Sequence, residues 1–149
     1  VQCVTDGLQA IEQLEQAREK WAADVVDHAH SLLSREDLIL ISQDMPNLDG
    51  EEMEILKGLS DVFAETKAER AAMKWYDQEN VKDWEIIPPK KHRPALRVIY
   101  QKRLEKLEKL SKEHEERAGL VQYFAFVVAM TRFQVCLLEA LDTDKEELW

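Results

Sequence analysis

The stretch DLILISQDMPNLDG, residues 37–50, decides how the chain is first read. Leu38-Ile39-Leu40-Ile41 is a continuous apolar run of strand length, with Asp37 before it and Ser42-Gln43-Asp44 after it. A short apolar run with polar ends is the pattern of a strand buried on both faces of a parallel sheet. Pro46 and the Asp49-Gly50 pair then force a loop, because proline breaks regular pairing and Asp-Gly favours a turn. Beyond it Met53, Leu56, Leu59, Val62 and Phe63 recur at helical spacing. Strand, loop and helix follow in that order.

Upstream, Val1, Cys3, Val4 and Thr5 form a short β-favouring run that stops at Asp6-Gly7, and Leu8, Ile11, Leu14, Trp21, Val25 and Leu32 predict a helix over 7–34. Downstream, residues 64–90 are charged and aromatic, and Pro88-Pro89 predicts a stiff extended connector. PALRVIY (94–100) reads as a strand and KRLEKLEKLSKEHEER (102–117) as a helix with interleaved Glu and Lys. LVQYFAFVV (120–128), rich in β-branched and aromatic residues, reads as the strongest strand, and 130–141 as an amphipathic closing helix. Alternating strands and helices predict an α/β fold with a parallel sheet. The competing reading is all-helical, with the later strands absorbed into helices.

Composition bounds the function. The chain has 149 residues, room for one domain, with 45% hydrophobic and 34% charged residues. Its net charge of −10 argues against nucleic acid or an anionic membrane as the main partner and leaves a protein partner open. The charge is uneven: residues 90–117 hold ten Lys and Arg against five Glu. Cys3 and Cys136 lie among apolar neighbours with no metal-ligand spacing, so both read as reduced core residues. No secretory signal opens the sequence and no apolar run is long enough to span a membrane, so a cytoplasmic protein is expected. His28, His30, His92 and His114 show no convergent metal spacing, and DMPNLDGEEMEI lacks calcium-loop spacing; no metal and no cofactor is expected.

DLILISQDMPNLDGEEMEILKGL (37–59) resembles the third strand, Met-Pro loop and third helix of the receiver domains of two-component response regulators. VTDGLQAIEQL (4–14) resembles the family's second strand and helix, PALRVIY its fourth strand, and 118–141 its fifth strand and helix. The resemblance implies a flavodoxin-like doubly wound sheet over 1–149, enlarged by insertions at about 15–36 and 64–93 and lacking its first strand in this chain. That strand would have to come from a longer polypeptide or from another chain.

The resemblance also implies a Mg²⁺-assisted aspartyl phosphorylation site, and the sequence departs from it. Ser42 stands at the phosphoacceptor position and Phe126 at the lysine position, so the site is degenerate and no catalysis is expected. Tyr123 stands where the family has its switching aromatic. Asp49 reads as a helix cap, and Asp44 as a turn residue or a shifted acceptor. The sequence thus reads as a pseudo-receiver used for protein interaction within a larger complex or with a sensor-type protein. Trp75, Tyr76, Trp84, Arg103, Lys106 and Tyr123 are the candidate partner-binding residues, with Ile86 and Ile87 in the same apolar insertion. The alternatives are a working receiver using a shifted carboxylate and an all-helical scaffold subunit.

Overall fold

The computed structural model describes residues 2–57, 64–79 and 83–143, with side chains from Val4 onward. Among these residues every regular element is helical: α1 (Gln2–Leu32), α2 (Arg35–Ile41), α3 (Gly50–Lys57), α4 (Lys67–Glu79), α5 (Arg93–Glu113) and α6 (Ala118–Thr143). A 3-10 turn at Lys90–His92 precedes α5. The flavodoxin-like, response-regulator-like sheet expected from the sequence is therefore overturned in favour of the all-helical alternative. With no sheet, the gap left by a missing first strand does not arise. Leu59, Val62 and Phe63, the end of the expected third-helix stripe, lie outside the described residues, as does the side chain of Cys3.

Each expected strand is helical: residues 2–5 of the first open α1, which runs through Asp6-Gly7 without a turn, and the other three have local explanations. Residues 38–41 form the body of α2, whose start is capped: Asp37 N–H donates to the Ser34 hydroxyl at 3.1 Å. PALRVIY opens α5 with Pro94 in the first turn, where its missing N–H costs nothing, and the helix runs on through the Leu/Lys/Glu segment without a break. Residues 120–128 lie inside α6. Twelve α6 residues are buried, including the adjacent pairs Val128-Ala129, Phe133-Gln134 and Leu137-Leu138. Neighbours on a helix point about 100° apart, so α6 is covered on more than one side.

The other helices supply that cover. α5 and α6 form an antiparallel hairpin across residues 114–117: Arg97, near the start of α5, donates to the Leu138 carbonyl at 3.1 Å and pairs with Asp142. Toward the C-terminal half of α6, Phe133, Leu137 and Leu138 pack with Val25 and Ala29 of α1, Tyr76 of α4, and Leu96 and Ile99 of α5. Toward its N-terminal half, Leu120, Phe124 and Val128 pack with Leu107 of α5 and with Ile55 and Leu56 of α3. By length and composition Ala118–Thr143 can cross a membrane, but 61% of its most apolar window is buried inside this bundle.

The short helices are docked by their N-terminal carboxylates. α3 starts with a capping box: Asp49 N–H donates to Glu52 Oε1 at 3.1 Å and Glu52 N–H to Asp49 Oδ1 at 2.9 Å. α4 repeats it, with Glu69 N–H donating to the Thr66 hydroxyl at 3.1 Å while Glu69 Oε2 accepts from the Glu65 and Thr66 N–H groups. The third residue of each start (Asp37, Glu52, Glu69) is buried and faces a long helix. Arg132 of α6 donates to Asp37 at 3.2 Å, and Lys102 of α5 pairs with Glu69 at 3.4 Å. Glu52 lies against the first turn of α6, so close that a Cβ on Gly119 would stand 2.8 Å from its Oε2. A carboxylate there complements the positive end of the helix.

Two outcomes follow from this architecture. Phe133 is fully buried where α6 meets α1, and Phe133→Ala is expected to cost about 3–5 kcal/mol in urea unfolding. Glu69 has its pKa held below the ordinary 4.5, first by the Glu65 N–H and then, against the cost of burial, by the Thr66 N–H and Lys102. Its ionised form therefore contributes stability that is present above the ordinary value and is lost as pH falls through the lowered one. Urea midpoints of Glu69→Gln, followed from about pH 6 to pH 3, are expected to fall less steeply with acid than those of the native chain.

Candidate functional site

An open cleft of about 1010 Å³ lies between the middle of α1 and the connector leading to α5. The connector makes a firm wall because both its ends are tied down. Near its start, the Trp84 ring packs edge-on against Phe133 with centroids 5.0 Å apart, and the Asp83 carboxylate accepts from the Glu85 N–H at 3.0 Å. At its far end the Arg93 Nε donates to the Pro88 carbonyl at 2.9 Å, and Pro89 holds an extended backbone. Between these ties Ile86, Ile87 and Pro88 line the cleft, facing Trp21, Ala22 and Val26 of α1. The rim is charged with both signs: Glu19, Asp27, Asp83 and Glu85 against Arg18, Lys90 and Arg93. An apolar floor with a polar margin is the chemistry of a recognition groove.

Tyrosines and a guanidinium meet elsewhere, between α4, α5 and α6. Arg103 donates to the Tyr76 hydroxyl at 2.7 Å and its guanidinium carbon lies 4.8 Å from the centre of that ring. The Tyr76 and Tyr100 rings meet edge-on at 6.1 Å, and Gln134 Nε2 reaches the Tyr76 hydroxyl at 3.5 Å. Tyr123 belongs to the same group electrostatically: burial raises its phenol pKa, Arg103 opposes that rise and Tyr76 adds to it. Burial raises Tyr100 further still, assisted by Tyr76 and opposed by Arg103.

The structure separates the residues that the sequence grouped. Tyr76, Arg103 and Tyr123 come together, but inside the helix interfaces, and half-buried Lys106 lies one turn along α5 from Arg103. Trp75 is half-buried beside His92, with ring centroids 6.2 Å apart, and Trp84 is a core contact of Phe133. Of the apolar residues singled out in that insertion, Ile86 and Ile87 reach the cleft. The degenerate-receiver positions do not form a site. Ser42 caps the exposed end of α2 and donates to the Ile39 carbonyl at 2.7 Å, whereas Phe126 is buried in α6. Asp44 is exposed in the loop after α2, and Asp49 is the α3 cap that the sequence indicated. Cys136 is a half-buried thiol on α6, its pKa raised by burial and by Glu139 and Asp37. His30 packs edge-on against Phe133 at 4.7 Å. Among the described residues no three His, Cys, Asp or Glu side chains gather at a metal-binding spacing.

The α1 wall of the cleft went unread in the sequence. Of that wall only Trp21 stands in the helical stripe read from the sequence, and no local signal tells which part of the helix meets the rest of the molecule. Comparison with known proteins adds no template: no family model, curated protein or solved structure matches the chain.

The tyrosine cluster has a measurable consequence in alkali. With the folded pKa of Tyr100 raised, the un-ionised phenol contributes stability that is present below its ordinary value and is lost as pH rises toward the raised one. Tyr100→Phe is therefore expected to flatten the alkaline limb of the stability profile above about pH 10, followed by chemical denaturation at stepped pH.

Proposed function

We propose that the chain is a helical scaffold subunit that holds an apolar segment of a partner protein in the cleft between α1 and the connector. The cleft itself carries the reading. At about 1010 Å³ it is an open trough at the upper end of the range for small-molecule pockets, and its walls are aliphatic, proline and indole surfaces. Such walls give up bound water readily, while a rim of both charge signs sets the register of a peptide lying along them. Binding there demands little rearrangement, because Trp84 and the Arg93–Pro88 bond already fix the connector.

The long cationic helix supports the scaffold side of this reading. Arg97, Lys102 and Arg103 of α5 and Arg117 after it are engaged with Asp142, Glu69, Tyr76 and Glu51. These charges join α5 and α6 to their neighbours, and their use within the fold leaves the cleft as the stronger candidate for recognition.

A photo-crosslinking amino acid placed at Ala23, an exposed cleft residue, tests the proposal in cells that express the chain. A discrete adduct is expected from position 23 and its yield is expected to fall at least about tenfold in the Ile87→Glu background, the burial of a charge in an apolar contact costing on the order of 2 kcal/mol or more. The same adduct formed equally from Lys109, on an exposed face of α5, or unaffected by Ile87→Glu, would refute the cleft as the binding site.

A further inference from the structure

The first half of α1 leaves the bundle. From Val4 to Lys20 its residues are exposed apart from the half-buried Ala17, whereas Val25 and Ala29 further along are fully buried against the core. Yet the exposed half is not polar all round. Val4, Leu8, Ile11 and Leu14 are 66%, 59%, 55% and 41% exposed and recur every three or four residues, so they share one face. At 100° per residue, positions 4, 11, 18 and 25 stand nearly in line, and so do 8, 15, 22 and 29. The exposed stripe is thus the direct continuation of the face that Val25 and Ala29 bury against the other helices.

Charge says what that stripe accepts. Glu12 and Glu19, both exposed, follow one another along one edge of it, with Glu15 just inside that edge in line with Leu8. Ala10 and Ala17 run along the other edge, and Arg18 stands in line with Val4 and Ile11 at the inner end. An apolar seam with acids on one edge is matched by a helix with an apolar seam and a basic edge, as coiled-coil partners are matched through flanking charges. A second copy fits less well: two α1 helices paired antiparallel place the acidic edges against each other, where like charges repel, and paired parallel they set the acidic edge against Ala10 and Ala17, which offer it no opposite charge. Anionic lipid is disfavoured by the same carboxylates.

We propose that Val4, Leu8, Ile11 and Leu14, with the acids Glu12, Glu15 and Glu19, form a docking surface for a basic amphipathic helix of a partner protein. The surface is separate from the cleft, and the proposal stands whether or not the cleft is occupied. The bound helix lies along the projecting half of α1 as a two-stranded coiled coil over about 15 Å, the rise of ten residues.

The probe is a synthetic three-heptad peptide with Leu at its seam and Lys at its flanks, fluorescently labelled, and a counterpart with Glu in place of Lys. Anisotropy titration of the whole chain is expected to show binding of the Lys peptide at least tenfold tighter than the Glu peptide. Leu8→Asp with Ile11→Asp is expected to weaken the Lys peptide at least tenfold with the circular dichroism and thermal transition retained, since both positions are exposed. Glu12→Lys, Glu15→Lys and Glu19→Lys together are expected to reverse the preference toward the Glu peptide. Ala23→Arg, which obstructs the cleft, is expected to leave both affinities unchanged and so separates this surface from the cleft. Undiminished binding to the Leu8→Asp, Ile11→Asp chain would reduce the effect to general attraction between opposite charges and overturn the proposal. A concentration-dependent dimer in sedimentation, or flotation with phosphatidylcholine vesicles, either of them abolished by Ile11→Asp, would assign the stripe to a second copy or to lipid and overturn it equally.

Discussion

Everything in this fold depends on covering α6. A helix of 26 residues with Phe124, Phe133, Leu137 and Leu138 at or near zero exposure keeps only a narrow solvent edge, at residues such as Gln122, Arg132 and Glu139. Burying a large aliphatic or aromatic side chain contributes about 1.5–3 kcal/mol, so most of the favourable burial in so small a chain is concentrated on this one element. The coverage is divided. α5 runs the length of α6, α1 and α4 join it around the C-terminal half, and α3 joins it around the N-terminal half. Remove α6 and the remaining helices have no common surface to face.

Apolar burial does not fix direction, and the carboxylates do. Leucine and phenylalanine faces tolerate sliding and rotation, whereas an N-terminal acid that caps its own helix and also meets a cation on another fixes both. Glu69 does this for α4 through Lys102, and at the start of α2 the two tasks are divided, Ser34 capping the helix and Asp37 meeting Arg132. Glu52 does it for α3 at the first turn of α6 without a cation. Part of the basic character of residues 90–117 is used within the fold, by Arg97, Lys102, Arg103 and Arg117. Through Lys102 and Arg117 the segment connects the apolar hairpin to the acidic starts of α4 and α3.

How much of this was legible depends on which kind of signal each segment carries. The helix over 7–34, the extended Pro88-Pro89 connector and the Asp49 cap could be read locally, because spacing, fixed φ and side-chain capping act over a few residues. The error lay in LVQYFAFVV and DLILIS. Aromatic and β-branched residues have weak intrinsic preferences that burial overrides, and a fully buried helix loses the polar stripe that distinguishes it from a buried strand. Two signals pointing the other way were present. Pro94 sits well in a first helical turn, and Ser34-Arg-Glu-Asp37 and Thr66-Lys-Ala-Glu69 have the spacing of helix starts. The resemblance of 37–59 to a receiver rested on the same apolar run and Asp-Gly turn, which a capped short helix followed by a capped helix satisfies equally well. The cleft was half legible: Ile86 and Ile87 were visible as an apolar insertion, but only the fold brings Trp21 opposite them.

The two halves of α1 are linked by helix cooperativity. Starting a helix is costly and extending one is cheap, so a segment as short as residues 4–20, with Gly7 within it, would be marginal alone. Here Val25 and Ala29 are clamped in the core, the nucleus already exists, and each further turn outward adds hydrogen bonds without a new start. The bundle thereby holds in shape an apolar stripe that it does not itself bury. A stripe kept helical in advance loses less conformational entropy on binding than a flexible tail of the same composition. That difference separates a surface suited to docking from one that is merely exposed, and it comes from residues more than ten positions away.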